Sequence, residues 1–101
     1  MATIFQKIFL PKAQINILNL IDTSTVQAQI NDDIMNMYKR EQYTIDTSST
    51  KITATHNWHH AQGDMYRLNI VKDGKALNTT SESAAKRIFT HMQNKYRQQQ
   101  H

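Results

Sequence analysis

Residues 51–77 read KITATHNWHHAQGDMYRLNIVKDGKAL, and the way this stretch alternates decides the fold. Gly63 and the pair Asp73-Gly74 divide it into three strand-length pieces, because both places carry the residues that tight hairpin turns require. Side chains along a strand point alternately to opposite faces. A three-residue loop Ala61-Gln62-Gly63 between strands 51–60 and 64–72 sets His60 opposite Asp64, Trp58 opposite Tyr66, His56 opposite Leu68 and Ala54 opposite Ile70. A two-residue loop would instead place Trp58 against Arg67 and expose half of the apolar set. Asp73-Gly74 then pairs Lys72 with Lys75, Ile70 with Leu77 and Leu68 with Thr79. Both turns therefore predict one buried face, running from Ile52, Ala54, His56 and Trp58 through Tyr66, Leu68 and Ile70 to Leu77. The outward face holds Thr53, Thr55, Asn57 and His59, followed by Met65, Arg67, Asn69 and Val71.

Downstream, Thr79 and Glu82 have capping-box spacing, and Ala85, Ile88, Phe89, Met92 and Tyr96 form the apolar stripe of a helix over 81–98. Upstream, Ser24 and Gln27 repeat the capping spacing. Val26, Ile30, Ile34, Met37 and Tyr38 recur at steps of four, four, three and one, which predicts a helix over 24–41. Tyr43–Thr47 alternates and is a candidate fourth strand, closed by the turn Ser48-Ser49. Residues 3–10 fit both a helix and a strand. Pro11 suits the first turn of a helix, after which Ile15, Leu18 and Ile21 recur with helical spacing, although a strand over Gln14–Ile21 is also compatible. The reading is one α+β domain over 1–101: an N-terminal helical segment, a three- or four-stranded antiparallel meander, and a C-terminal amphipathic helix packed on the sheet. Both major helices are expected on the face bearing Trp58 and Leu68. A helix-and-meander arrangement of the cystatin-like kind is one architecture that fits.

The 101 residues carry a net charge of +4 and no cysteine, which excludes disulfides and thiolate metal sites and is compatible with a reducing cytoplasm. Met1–Leu10 lacks the basic leader of a signal peptide, and no run approaches the ~18 apolar residues of a membrane span. The expectation is a cytoplasmic protein without membrane contact.

His56-Asn57-Trp58-His59-His60 is the one cluster of metal-ligand type. His56 and His60 share a strand face but lie about 13 Å apart, and His59 points the other way. His56 is expected at the core beside Trp58, and His60 is expected to pair with Asp64. A hairpin carrying His, followed by a helix carrying His91 and Asn94, resembles the ββα-metal nucleases, and the resemblance implies a divalent metal held between hairpin and helix. These residues do not reproduce that family's spacing. Asp32 and Asp33 are neighbours and would point about 100° apart on a helix, which makes a poor acid/base pair. With two Gly in the chain, both in turns, there is no phosphate-cradling loop. No catalytic residue, cofactor or metal ligand is assigned, and the protein is not expected to be an enzyme.

The open face is the candidate site. Arg and Asn read guanine and adenine edges, so Asn57, His59, Arg67 and Asn69, together with Lys86 and Arg87 on the basic final helix, form the candidate binding surface. Three strands followed by a helix is also similar in topology to integrase-type and double-stranded-RNA-binding domains, an analogy of fold alone. The leading expectation is a non-enzymatic binding or assembly module with a protein partner or self-association through an edge strand. Nucleic-acid binding and a metal-dependent nuclease are the alternatives.

Overall fold

The structure, a computed structural model, describes residues 12–77 and 81–100. The elements are α1 (Lys12–Asp22), β1 (Gln27–Asp33), β2 (Tyr38–Asp46), β3 (Thr50–His59), β4 (Gly63–Lys72), β5 (Lys75–Leu77) and α2 (Glu82–Gln99). The five strands form one antiparallel sheet in chain order, so the α+β class is as expected while the meander has five strands rather than three or four.

The largest departure is residues 24–41, which form no helix. Ser24 closes α1 instead of opening a new helix, its hydroxyl donating to the Leu20 carbonyl at 2.6 Å. The chain then runs through β1, turns at 34–37 and returns in β2. A step of four residues returns to the same face of a strand as well as to the same face of a helix, so the spacing Val26, Ile30, Ile34 suits both. The decision comes from the turn and from the partner strand. The Asp33 carboxylate accepts from the Asn36 side chain at 2.8 Å and its backbone N–H at 3.3 Å, and Met37 takes a left-handed φ of 51°. Paired this way, β2 carries Tyr43 and Ile45 into the core, where both are buried. The helical layer is filled by α1 instead, through Ile17 and Ile21.

The β3–β4 register also differs, by two residues. Trp58 opposes Asp64, His56 opposes Tyr66, Ala54 opposes Leu68 and Ile52 opposes Ile70. The loop is His60–Gln62, closed by Gln62 N–H to the His59 carbonyl at 2.9 Å, and Gly63 starts β4 at φ +82°. A shift of two leaves every residue on its expected face. It aligns Ile45, Ile52 and Ile70 in one row and Tyr43, Ala54 and Leu68 in the next. The β4–β5 turn is as read: Asp73 and Gly74 both have positive φ, 52° and 80°, the signature of a type I′ hairpin. Lys72 opposes Lys75 and Ile70 opposes Leu77.

The cap of α2 is Ser81, whose hydroxyl accepts the Ala84 N–H at 3.2 Å. Thr79 lies outside the described residues, and the Glu82 carboxylate accepts the Tyr66 N–H at 3.3 Å. The stripe Ala85, Ile88, Phe89 and Met92 is buried. Phe89 meets Tyr66 edge-on at 5.5 Å, and its ring centroid is 5.2 Å from that of Tyr43. α1 is tied to α2 by His91 with the Asp22 carboxylate at 2.6 Å and by Lys95 Nζ donating to the Asp22 carbonyl at 2.9 Å. At the far end, the Gln99 amide clamps Val26: Oε1 accepts its N–H at 2.6 Å and Nε2 donates to its carbonyl at 2.9 Å.

α2 thus runs from Tyr66 on β4 to Val26 at the entrance of β1, crossing the sheet obliquely. The row Asp32, Lys39, Trp58 and Asp64 lies beyond its reach. Trp58 therefore keeps the expected face but is not in the core; it is 37% exposed.

Two substitutions test this account. Gly63 has open space where a Cβ would be added, so Gly63→Ala should cost only the left-handed backbone penalty of about 1 kcal/mol, and Gly63→Asn less. Gln99→Ala removes two part-buried hydrogen bonds and should cost about 1–3 kcal/mol. Chemical denaturation of each variant measures both losses.

Candidate interaction surface

Both helices cover one face of the sheet, and the other face is open. Its rows run Asp33–Tyr38–His59–Gly63, Asn31–Arg40–Asn57–Met65, Gln29–Gln42–Thr55–Arg67 and Gln27–Thr44–Thr53–Asn69. Many of these polar groups bond to one another. The Tyr38 hydroxyl donates to Asn57 Oδ1 at 3.0 Å, Arg40 Nη2 donates to Gln42 Oε1 at 3.1 Å, and Thr55 reaches the same oxygen at 3.4 Å. A shallow hollow of about 120 Å³ lies among Gln29, Asn31, Arg40 and Gln42.

The six residues singled out in the sequence fall on two sides of the molecule. Asn57, His59, Arg67 and Asn69 share the open face. Lys86 and Arg87 stand on α2, across the sheet. Lys86 Nζ lies 5.7 Å from the centre of the Tyr66 ring, and Arg87 borders a groove with Leu18, Ser83, Thr90, His91 and Asn94. His59 is engaged locally, its Nδ1 accepting the Ala61 N–H at 3.1 Å. The open face carries Arg40, Lys51 and Arg67 against Asp33 and Asp46, so it is nearly neutral, whereas affinity for nucleic acid rests largely on phosphate contacts.

The histidines are dispersed as well. Asp64 is partnered by His56, at 2.7 Å, and not by His60, because the two-residue shift brings Asp64 beside that side of β3. The His56 ring stacks on Tyr66, centroids 4.4 Å apart and planes 6° from parallel. The His60 N–H donates to the Met37 carbonyl at 3.1 Å, which fixes the β3–β4 loop to the β1–β2 turn. Among the described residues no group of three or more His, Asp or Glu side chains could hold a metal ion.

One buried polar set is notable. The Tyr43 hydroxyl donates to Glu41 Oε2, and Gln93 Nε2 donates to the same oxygen at 2.8 Å. Burial, reinforced by the Glu41 carboxylate, pushes the Tyr43 phenol up to about 12. Tyr66 is also raised, by burial first and then by Asp64, Glu41 and Glu82. A phenol held neutral in this way positions strands and helix; it is not a base in the neutral range.

The feature missed in the sequence is the uncovered apolar end of the sheet. Ile30 is 54% exposed, Ile34 80% and Met35 92%, with Met37 also exposed. Among the described residues, four of the seven exposed large apolar side chains lie in Ile30–Met37, and concentration of such residues in one place marks contact surface more than their number does. Read as part of a helix stripe, Ile30, Ile34 and Met37 belonged to the core. The Asp33-x-x-Asn36 turn was the signal that they did not. The same segment overlaps the end of β1, which lies at a border of the sheet with no partner strand on its outer edge among the described residues.

No family model, curated protein or solved structure matches the chain. Among the described residues no helix is long and apolar enough to cross a membrane.

The tyrosines give a pH prediction. A folded-state phenol pKa above the unfolded value of about 10 means that the folded chain holds a proton the unfolded chain has lost. That stability is complete below pH 10 and falls as pH rises through the Tyr43 value of about 12. Ultraviolet titration of tyrosinate should show a late component that Tyr43→Phe abolishes.

Proposed function

We propose that the protein is a non-enzymatic binding or assembly module acting through protein–protein contacts. The observation that supports this reading is the coincidence of two features at one end of the sheet: the exposed apolar residues Ile30, Ile34, Met35 and Met37, and the edge of β1, which is unpaired among the described residues. Exposed apolar surface and open backbone hydrogen-bonding groups are the two things that a partner chain satisfies together. Nucleic-acid binding has less support, because the basic helix residues and the Arg/Asn face lie on opposite sides of the sheet. A cysteine-free chain also suits action in a reducing compartment such as the cytoplasm.

Photo-crosslinking tests the reading. A photoreactive phenylalanine analogue at Met35 should give a discrete crosslinked product, homomeric or heteromeric, whereas the same probe at Lys51 on the open face should not. No discrete product from Met35 in cells expressing the chain at its natural level would count against a contact module.

A further inference from the structure

Of the two strands at the borders of the sheet among the described residues, β1 is the better suited to accept another. β5 begins with Lys75, directly opposite Lys72, and lysine-bearing borders resist pairing. β1 is seven residues long and contains neither Pro nor Lys. It is paired to β2 without interruption from Gln27 to Asp33, so its outward N–H and C=O groups form a regular row.

We propose that β1 pairs antiparallel with β1 of a second copy of this chain, about a two-fold axis through Ile30. This rests on the reading of the protein as a contact module and names its partner and its register. Centred on Ile30, the pairing opposes Ile30 to Ile30, Gln29 to Asn31, Ala28 to Asp32 and Gln27 to Asp33, each taken between copies. It uses all seven residues of the strand and opposes no like charges. Neighbouring registers that keep the helices of both copies on one side of the sheet are worse. Centring on Asn31 puts Ile30 against Asp32 twice, centring on Asp32 opposes that carboxylate to itself, and centring on Gln29 leaves Asp32 and Asp33 without strand partners.

The charges also agree. Ala28 is paired with Tyr43, and Arg97 lies near enough to Tyr43 to act on its ionisation. Placing Asp32 opposite Ala28 of the second copy therefore brings the acidic end of each β1 toward the basic end of the other copy's α2. At about 23 Å the strand alone makes less than a standard interface of about 800 Å² per partner. Ile34 and Met35, exposed in the turn that follows β1, supply further apolar surface at the two ends of this seam. The result is a ten-stranded sheet with all four helices on one side and a concentration-dependent dimer.

The chain's lack of cysteine makes the test direct. Directly opposed residues have Cα atoms about 4.5–5.5 Å apart, within the span of a disulfide. Ile30→Cys should therefore form an interchain disulfide on mild oxidation, while Val71→Cys, exposed on β4, should not. Light scattering of the unmodified chain should show the mass rising from 11.8 kDa toward twice that value across the micromolar range. Ile30→Lys, at a half-exposed position, should stay monomeric with an unchanged circular dichroism spectrum. A mass that stays monomeric, with no Ile30→Cys crosslink, overturns the proposal, as does a dimer that survives Ile30→Lys. A monomeric chain that still crosslinks through Met35 to a different protein overturns self-pairing while leaving the contact-module reading standing.

Discussion

Ile52 and Ala54 of the central strand β3 are wholly out of water, and Ile88, Phe89 and Met92 of α2 lie in the same cluster. Burial of this one face beneath one helix is the constraint on which the other features depend. Apolar burial contributes roughly 25 cal/mol per Å², and alternation along each strand commits every second residue to the same side. Once α2 occupies that side, α1 can join the core only beside it, through Ile17 and Ile21. The opposite face is left to amides, hydroxyls and a few balanced charges. The oblique run of α2 also decides what is left over, since it ends against Val26 and leaves Trp58 and the β1–β2 turn beyond its cover.

The polar contacts under and around α2 hold that geometry. Glu41 is half-buried and would be costly without donors; Tyr43 and Gln93 provide them. Gln99 completes the backbone of Val26 much as a neighbouring strand would, by serving one N–H and one C=O. It does so at the residue just before β1. The entrance of the border strand is thereby satisfied within the chain, while among the described residues the outer edge of β1 has no partner strand. The helical layer and the proposed contact edge are connected through this one amide.

The parts of the fold legible in the sequence were those set by local chemistry. Asp73-Gly74 specified a turn with two positive φ angles, and the stripe from Ala85 to Met92 specified a helix and its buried side. The faces of β3 and β4 were legible because parity survives a two-residue slip. The pairing itself was not: Gly63 accommodates a loop at either position, and the choice between them rests on the alignment of Ile45, Ile52 and Ile70 across three strands. Residues 24–41 were misread because a period of four is common to helix and strand. The candidate site suffered from the same error. Asn57, His59, Arg67 and Asn69 do share a face, but Ile30, Ile34 and Met37 were counted as core and so could not be recognised as surface.

By itself, then, the sequence determined an α+β chain with tight turns at Gly63 and Asp73-Gly74, a C-terminal amphipathic helix, and the side of the β3–β4 hairpin on which each residue lies. These follow from backbone preferences and side-chain periodicity within a few residues. Only the tertiary structure decided that residues 27–46 form two strands, that α1 fills the second helical place, that Lys86 and Arg87 stand across the sheet from Arg67, and that β1 lies at the border of the described sheet. Each depends on which distant surfaces compete to cover the same apolar area. Local spacing carries no record of that competition.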